Sequence, residues 1–176
     1  DIVRRFPEIG DLASKMERPL RVATMCSGTE APLLALELVS RACEVQKESP
    51  LAVTHVFSSE VEPFKQAYIE RNFAPPLLFR DVRELGSRQA HTAFGSLENV
   101  PRQRGDVDIL VAGTSCVDYS NLNTCKKTLE QLGESGQTFY GMFEWVQRAR
   151  PPLVLLENVC GAPWKGMIRN FEAINY

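Results

Sequence analysis

The sequence has no long apolar run, since none approaches the roughly 18 residues that cross a bilayer. The first residues carry charges and a proline instead of the apolar core of a secretion signal. The five cysteines are an odd number and include no CxxC pair, which argues against a disulfide framework and against a zinc site. These absences predict an intracellular, reducing location, with no membrane and no metal.

The sequence also lacks an excess of positive charge. The 20 Lys and Arg residues are outnumbered by 22 Asp and Glu residues, which gives a net charge of −2 at pH 7. Non-specific affinity for nucleic acid comes mainly from Lys and Arg side chains that neutralise phosphates. If this chain meets DNA, most of the affinity must come from a local patch or from another part of the protein.

Short apolar runs alternate with helical patterns along the 176 residues, which is typical of βα units around a parallel sheet. The predicted strands are residues 21–26, 53–59, 77–80, 107–112 and 153–156, the last a buried strand. The predicted helices are residues 31–45, 64–72 behind Pro63, 84–94, 139–148 and one from about Trp164. The fold class is therefore α/β, with a doubly wound, mostly parallel, Rossmann-like sheet. Residues 1–20 are predicted to be an N-terminal extension, and residues 21–176 the domain.

Polar residues close every predicted strand. They are Cys26-Ser27-Gly28, Glu60, Asp81, residues 113–116 and Glu157-Asn158. Ligands of doubly wound sheets bind at the carboxyl ends of the strands. Carboxylates accept hydrogen bonds and donate none, so the acids of the second and third strands suit hydroxyl and amino groups. A lone thiol, Cys116, next to an acid on the neighbouring strand suits covalent catalysis, and the long polar segment 114–137 is a candidate functional loop.

The order and spacing of these residues resemble the cytosine-C5 DNA methyltransferases from about residue 21 to residue 159. The matching segments are residues 25–32 (MCSGTEAP), 59–64 (SEVEPF), Asp81, 112–120 (AGTSCVDYS), 136–139 (GQTF) and 156–159 (LENV). They are similar to the family's glycine turn, its two cofactor acids, its nucleophile loop, a Gly-x-x-Phe turn that opens the next helix, and its Glu-Asn-Val motif.

The chain departs from the family in several places. Ser115 stands where proline is usual, Val117 where glutamine is usual, Cys26 where phenylalanine is common and Glu30 where a second glycine is common. The Thr-Ser-Cys form is similar to a divergent fungal and protist branch. No Gln-Arg-x-Arg motif or recognition domain follows the Glu-Asn-Val strand, and residues 101–104 (PRQR) precede the nucleophile loop, so we interpret them as a solvated loop. We therefore expect a partial catalytic domain of the methyltransferase fold, truncated after its fifth strand and the following helix and inactive alone.

The resemblance implies that S-adenosyl-L-methionine is the cofactor. Glu60 would hold the ribose hydroxyls, Val61 would lie against the adenine, and Asp81 would accept the adenine amino group. The full set of implied cofactor residues is Cys26, Ser27, Gly28, Thr29, Glu30, Glu60, Val61, Asp81, Gly113 and Thr138.

The resemblance also implies the reaction. Cys116 would attack carbon 6 of cytosine and activate carbon 5 for methylation, with Glu157 and Asn158 completing the catalytic group. The base must be flipped out of DNA, and segment 114–137 would close over it. The expected location is the nucleus, and the expected partners are DNA and further domains of a longer protein.

Three alternatives remain open at this point. The same chemistry could act on transfer RNA, and the motifs cannot separate the two polymers. A catalytically silent interaction module is disfavoured by the intact Cys116 and Glu157. A nicotinamide-dependent enzyme is disfavoured because no G-x-G-x-x-G turn follows the first strand.

Overall fold

A computed structural model describes residues 2–176 of the chain. The strands are β1 (Leu20–Met25), β2 (Val53–Ser59), β3 (Leu78–Phe79), β4 (Gln89–His91), β5 (Leu97–Asn99), β6 (Ile109–Gly113) and β7 (Leu153–Glu157). The helices are α1 (Ile2–Arg5), α2 (Glu8–Lys15), α3 (Ala31–Val45), α4 (Pro63–Phe73), α5 (Glu134–Ala149) and α6 (Trp164–Glu172), with a 3₁₀ helix at Val82–Glu84. Within the described residues, every helix is too short or too polar to cross a membrane.

Five parallel strands form the central sheet, in the order β3-β2-β1-β6-β7. The chain runs outward from β1 through β2 to β3, and then returns to the other side of β1 for β6 and β7. The topological switch point therefore lies between β1 and β6, where this fold class opens its ligand crevice. The α/β class and the mostly parallel, Rossmann-like sheet are confirmed.

The core lies where α5 packs with the 3₁₀ helix and the sheet. Phe57 of β2 packs edge-on against both Phe79 and Trp145, with ring centroids 5.6 and 5.5 Å apart. Leu110 and Ala112 of β6 are fully buried on the face towards α5, whereas Ile109, Val111 and Gly113 on the other face are only partly buried. This packing fixes α5 against the sheet, so the first turn of the helix has a defined position at the strand ends.

One predicted element is wrong. Residues 84–94 were expected to be helical, but the chain forms a 3₁₀ helix and then the antiparallel hairpin of β4 and β5. Gly95, with a φ of +87°, makes the tight turn, and Thr92 N donates to Ser96 O at 2.8 Å. A left-handed glycine and a short polar turn favour a hairpin over a continuous helix.

Two further expectations need correction. Strand β7 is at the edge of the sheet and not buried, since Leu153 and Leu155 are each about half exposed. Helix α5 begins at Glu134, so the segment from Gly136 to Thr138 lies inside its first turns and does not open it. The segment before β1 forms α1 and α2 and buries Val3, and its assignment as an N-terminal extension stays a prediction.

Candidate active site

Gly113, the last residue of β6, lies where three parts of the site meet. A Cβ placed on it would lie 3.3 Å from the carbonyl oxygen of Cys26 and 3.3 Å from Oε2 of Glu157. Glu157 is also its register partner on β7. The absence of a side chain at Gly113 therefore lets the turn after β1 and the acid of β7 approach each other across the start of the nucleophile loop.

In the turn after β1, every second residue has a left-handed backbone conformation. Cys26, Gly28 and Glu30 have φ values of 54°, 67° and 57°. A Cβ on Gly28 would meet nothing within 4 Å, so the turn presents an open backbone surface. Beside it, Ser27 Oγ is buried and has no hydrogen-bond partner among residues 2–176. An open turn with a spare hydroxyl suits a polar ligand.

A cleft of about 240 Å³ opens beside this turn, at the ends of β1, β2 and β3 and the start of α5. Its lining residues are Cys26, Ser59, Val61, Glu62, Asp81, Val82, Arg83, Glu134 and Thr138. Four residues of the expected cofactor set therefore line it, namely Cys26, Val61, Asp81 and Thr138. The other six do not, and the cofactor roles of all ten stay predictions.

Glu60 lies just behind the cleft wall. Its residue surface is only 4% exposed, and Oε1 accepts hydrogen bonds from Val61 N at 2.9 Å and Glu62 N at 3.1 Å. The carboxylate thus organises the turn that enters α4. Its expected hold on the ribose hydroxyls is untested by this geometry.

Glu30 is directed into the protein instead of into the cleft. It is fully buried, and Oε1 accepts from Thr24 Oγ1 at 2.8 Å and Ser58 Oγ at 2.7 Å, while Oε2 has no partner among the described residues. Ser58 Oγ also contacts His55 Nε2 at 2.9 Å. Burial lowers the pKa of His55, and the charge of Glu30 partly opposes that shift. Glu30 therefore supports the turn from beneath.

Asp81 is already engaged by Arg83, a residue that sequence reasoning missed. Arg83 Nε lies 2.9 Å from both carboxylate oxygens, and Nη2 lies 2.6 Å from Oδ2. The bond to Asp81 is the main reason that the pKa of Arg83 is raised. The guanidinium also donates to Gln137 Oε1 of α5 at 3.1 Å, so it links Asp81 to this helix. In the sequence, the only indication of this ion pair is that Arg83 stands two residues after Asp81.

Asn158 and Thr138 hold the nucleophile loop at its base. Asn158 Nδ2 donates to Thr114 O at 2.9 Å and to Thr114 Oγ1 at 3.2 Å, while Thr138 Oγ1 accepts from Ser115 N at 3.2 Å. Cys116 comes next, and its carbonyl oxygen accepts hydrogen bonds from the amides of Tyr119 and Ser120, each at 2.9 Å. The backbone on both sides of the Cys116 thiol is therefore fixed.

Asp118 and Ser135 join the loop to the start of α5 by a reciprocal pair. Ser135 N donates to Asp118 Oδ2 at 2.8 Å, and Asp118 N donates to Ser135 Oγ at 3.0 Å. Both residues are buried. Because helix N-termini favour negative charge, the carboxylate is well placed there.

The cysteines differ in their suitability as nucleophiles. Burial, together with the charges of Glu60 and Asp81, raises the pKa of Cys26 to about 12, so this thiol stays protonated near neutral pH. Cys43 is buried, whereas Cys116 is partly exposed on the fixed loop. The sequence-based choice of Cys116 is compatible with this arrangement.

Glu157 ends β7 directly opposite Gly113, but it is exposed. The expectation of a partly buried carboxyl is therefore wrong for these residues, because β7 is an edge strand. In the described part of the chain, no three His, Cys, Asp or Glu residues are grouped so that they could hold a metal ion.

Comparison with known proteins gives a consistent result. The family model described as C-5 cytosine-specific DNA methylase matches residues 20–175. The chain is 58% identical over 176 residues to DNA (cytosine-5-)-methyltransferase DMT5 of Cryptococcus neoformans var. grubii, covering 99% of this chain and 7% of that protein. It is 34% identical over 216 residues to the protein of the same name from Verticillium dahliae, covering 93% of this chain and 9% of that protein. The chain thus spans less than a tenth of the length of either relative.

Proposed function

We propose that this chain, which belongs to the C-5 cytosine-specific DNA methylase family, supplies the cofactor cleft and the nucleophile for methylation of carbon 5 of cytosine in DNA. The observation that carries the proposal is the convergence at Gly113. The turn after β1, the loop that bears Cys116 and the carboxylate of Glu157 all meet at this residue. The family is enzymatic, and both relatives are named as DNA methyltransferases.

In the proposed reaction, Cys116 acts first. Carbon 5 of cytosine is a poor nucleophile, and a thiolate bonded to carbon 6 makes it enamine-like. The thiolate is expelled when carbon 5 later loses its proton. A cysteine suits both steps because its thiolate is accessible near neutral pH and is a good leaving group. The fixed backbone on both sides of Cys116 keeps the sulfur in one position, which lowers the entropic cost of the attack.

Glu157 is proposed to hold the cytosine ring at N3 and at the exocyclic amine. A carboxyl that holds N3 must donate a proton or share one, and it offsets charge that develops during the attack. Asn158 is bonded to the backbone of the nucleophile loop, so it couples the position of this acid to that of Cys116. We assign Asn158 a positioning role.

The cleft fits S-adenosylmethionine, which supplies an electrophilic methyl group when bound. Val61 is 57% exposed at the cleft wall and offers an apolar surface for a flat base. Ser59 Oγ is buried with no partner among residues 2–176 and remains available for a ligand. Three acids, Glu62, Asp81 and Glu134, outnumber Arg83 in the lining, which favours a cationic sulfonium.

DNA binding is proposed to depend on more than this chain. The reaction needs a cytosine flipped out of the duplex, and residues 114–133 form the loop that would close over it. The net charge of −2 supplies no general attraction to phosphates. Further domains of the longer protein, acting in the nucleus, would provide that affinity and the choice of target. We expect residues 1–176 alone to bind DNA weakly and without methylation.

The assignment is tested in the full-length protein with a Cys116→Ala variant. We expect methyl transfer to DNA to be lost while binding of S-adenosylmethionine changes only slightly, because the thiol faces the base. Cys125→Ala, in the same exposed loop, is the matched control and should remain active. Methylation by Cys116→Ala would overturn the assignment, and parallel assays on transfer RNA would reveal the alternative substrate.

A further inference from the structure

We propose that Arg83 is a latch on the cofactor cleft, which occupies the carboxylate of Asp81 until the adenine amino group displaces it. The inference rests on the proposed cofactor cleft and concerns the regulation of that site. Both residues line the cleft at the end of β3, where the family resemblance places the adenine.

The carboxylate of Asp81 is largely occupied by Arg83. Oδ1 accepts from Arg83 N and Nε, both at 2.9 Å. Oδ2 accepts from Arg83 Nε at 2.9 Å and Nη2 at 2.6 Å. These four contacts come from three N–H groups, because the Nε–H is shared by both oxygens, and a carboxylate offers about four lone-pair sites. An adenine amino group therefore competes with Arg83 for the carboxylate.

The guanidinium is also held against α5 beside the cleft. Its Nη1 donates to Gln137 Oε1 on α5 at 3.1 Å, while Nε and Nη2 bind Asp81 at the end of β3. Gln137 in turn donates from Nε2 to Leu132 O of the loop at 2.9 Å. The Arg83 side chain therefore joins Asp81 to α5, whose residues Glu134 and Thr138 also line the cleft.

Arg83 is the partner that can move. Its side chain is 47% exposed, whereas that of Asp81 is 18% exposed. A solvated guanidinium loses little when it swings into water, because exposed ion pairs contribute little net stability. The charges of Glu134 and Glu84 also act on Arg83, so it has alternative anionic neighbours when it leaves. The backbone bond from Arg83 N to Asp81 remains and keeps the carboxylate in place.

The latch reduces the apparent affinity for the cofactor, since only molecules with Arg83 released offer the adenine amino group an unoccupied carboxylate. An exposed ion pair corresponds to about a two- to five-fold effect. We therefore expect Arg83→Ala to tighten binding of S-adenosylhomocysteine by about two- to five-fold. Arg148→Ala is the matched control, because it removes a comparable exposed ion pair, to Glu144, and Arg148 does not line the cleft. It should leave the affinity unchanged.

The experiment is calorimetric titration of the full-length protein with S-adenosylhomocysteine and with its inosine analogue, in which a carbonyl replaces the adenine amino group. Arg83→Ala should tighten only the adenine ligand, because a free Asp81 carboxylate repels a carbonyl. The gain in affinity should disappear when Asp81 is also replaced by alanine, because Arg83 then has no carboxylate to occupy. This double variant is a second measurement in case Arg83→Ala perturbs folding. Circular dichroism checks that each variant is folded.

The possible failures are distinguishable. Wild-type binding with unchanged or weaker binding by Arg83→Ala would overturn the latch and leave the proposed function intact. Equal gains for the adenine and inosine ligands would also overturn it, since the effect would then not pass through the amino group. No binding by the wild type or by any variant would overturn both the cleft assignment and the latch.

Discussion

Replacing Asp118 with alanine should loosen the nucleophile loop from α5. The change removes the bond from Ser135 N to Asp118 Oδ2, and it leaves that buried amide without its partner at the helix N-terminus. A hydrogen bond to a charged group contributes about 1.5–3 kcal/mol. The favourable interaction of an anion with the helix dipole adds about 0.3–1 kcal/mol. We therefore expect the free energy of local opening to fall by about 2–4 kcal/mol.

Hydrogen–deuterium exchange in the full-length protein measures this opening directly. A loss of about 2–4 kcal/mol corresponds to roughly 30- to 1000-fold faster exchange of the slowest amides around residues 114–135. Asp118→Asn keeps an acceptor without the charge and should show a smaller increase. Asp106→Ala removes one comparable bond, from Gln103 N at 2.8 Å, in a distant loop and is the control. Unchanged exchange of residues 114–135 in Asp118→Ala would refute the role of this pair.

Three other changes test the remaining features. Glu60→Ala should weaken binding of S-adenosylmethionine by about 1.5–3 kcal/mol in calorimetric titration. An unchanged Kd would show that this acid does not bind the ribose. Gly136→Ala should lower the melting temperature, because its Cβ would lie 2.8 Å from Leu129 O. A higher melting temperature, as helix propensity alone predicts, would contradict that contact. Burial lowers the pKa of His55, so the stability it contributes as a neutral side chain is present above about pH 6.5 and is lost as pH falls below that value. When melting temperature is plotted against pH between about 7.5 and 5.5, wild type and His55→Gln should differ in slope, and equal slopes would contradict this.

Much of the sheet could be predicted because its strands are short segments rich in apolar and β-branched residues. Strand β6 (ILVAG) is an apolar run, whereas β2 (VTHVFSS) mixes apolar with polar residues. Cys116 follows the end of β6, and Glu157 is the last residue of the adjacent β7. The edge position of β7 could not be predicted, because an apolar strand has the same pattern whether or not a neighbour covers it.

The missed contacts depend on tertiary packing or on a local turn. Glu30 bonds with Ser58, which is 28 positions away and on another strand, so the sequence around Glu30 gave no indication of its burial. Arg83 reaches Asp81 because the 3₁₀ helix begins between them, whereas the predicted helix started only at residue 84 and gave no geometry for this turn. The hairpin of β4 and β5 has two three-residue strands, too short for alternation to be recognised.

The covalent bond between Cys116 and carbon 6 of cytosine is the most direct test of the proposed function. The full-length protein is incubated with S-adenosylmethionine and DNA that carries 5-fluorocytosine at its target. Fluorine cannot leave carbon 5 as a cation, so the ring cannot expel the thiolate and the adduct should survive denaturation. We predict that peptide mass spectrometry finds the modified base on Cys116, that Cys160→Ala still forms the adduct, and that Cys116→Ala forms none. An adduct on another cysteine, or methylation of ordinary DNA by Cys116→Ala, would contradict the account.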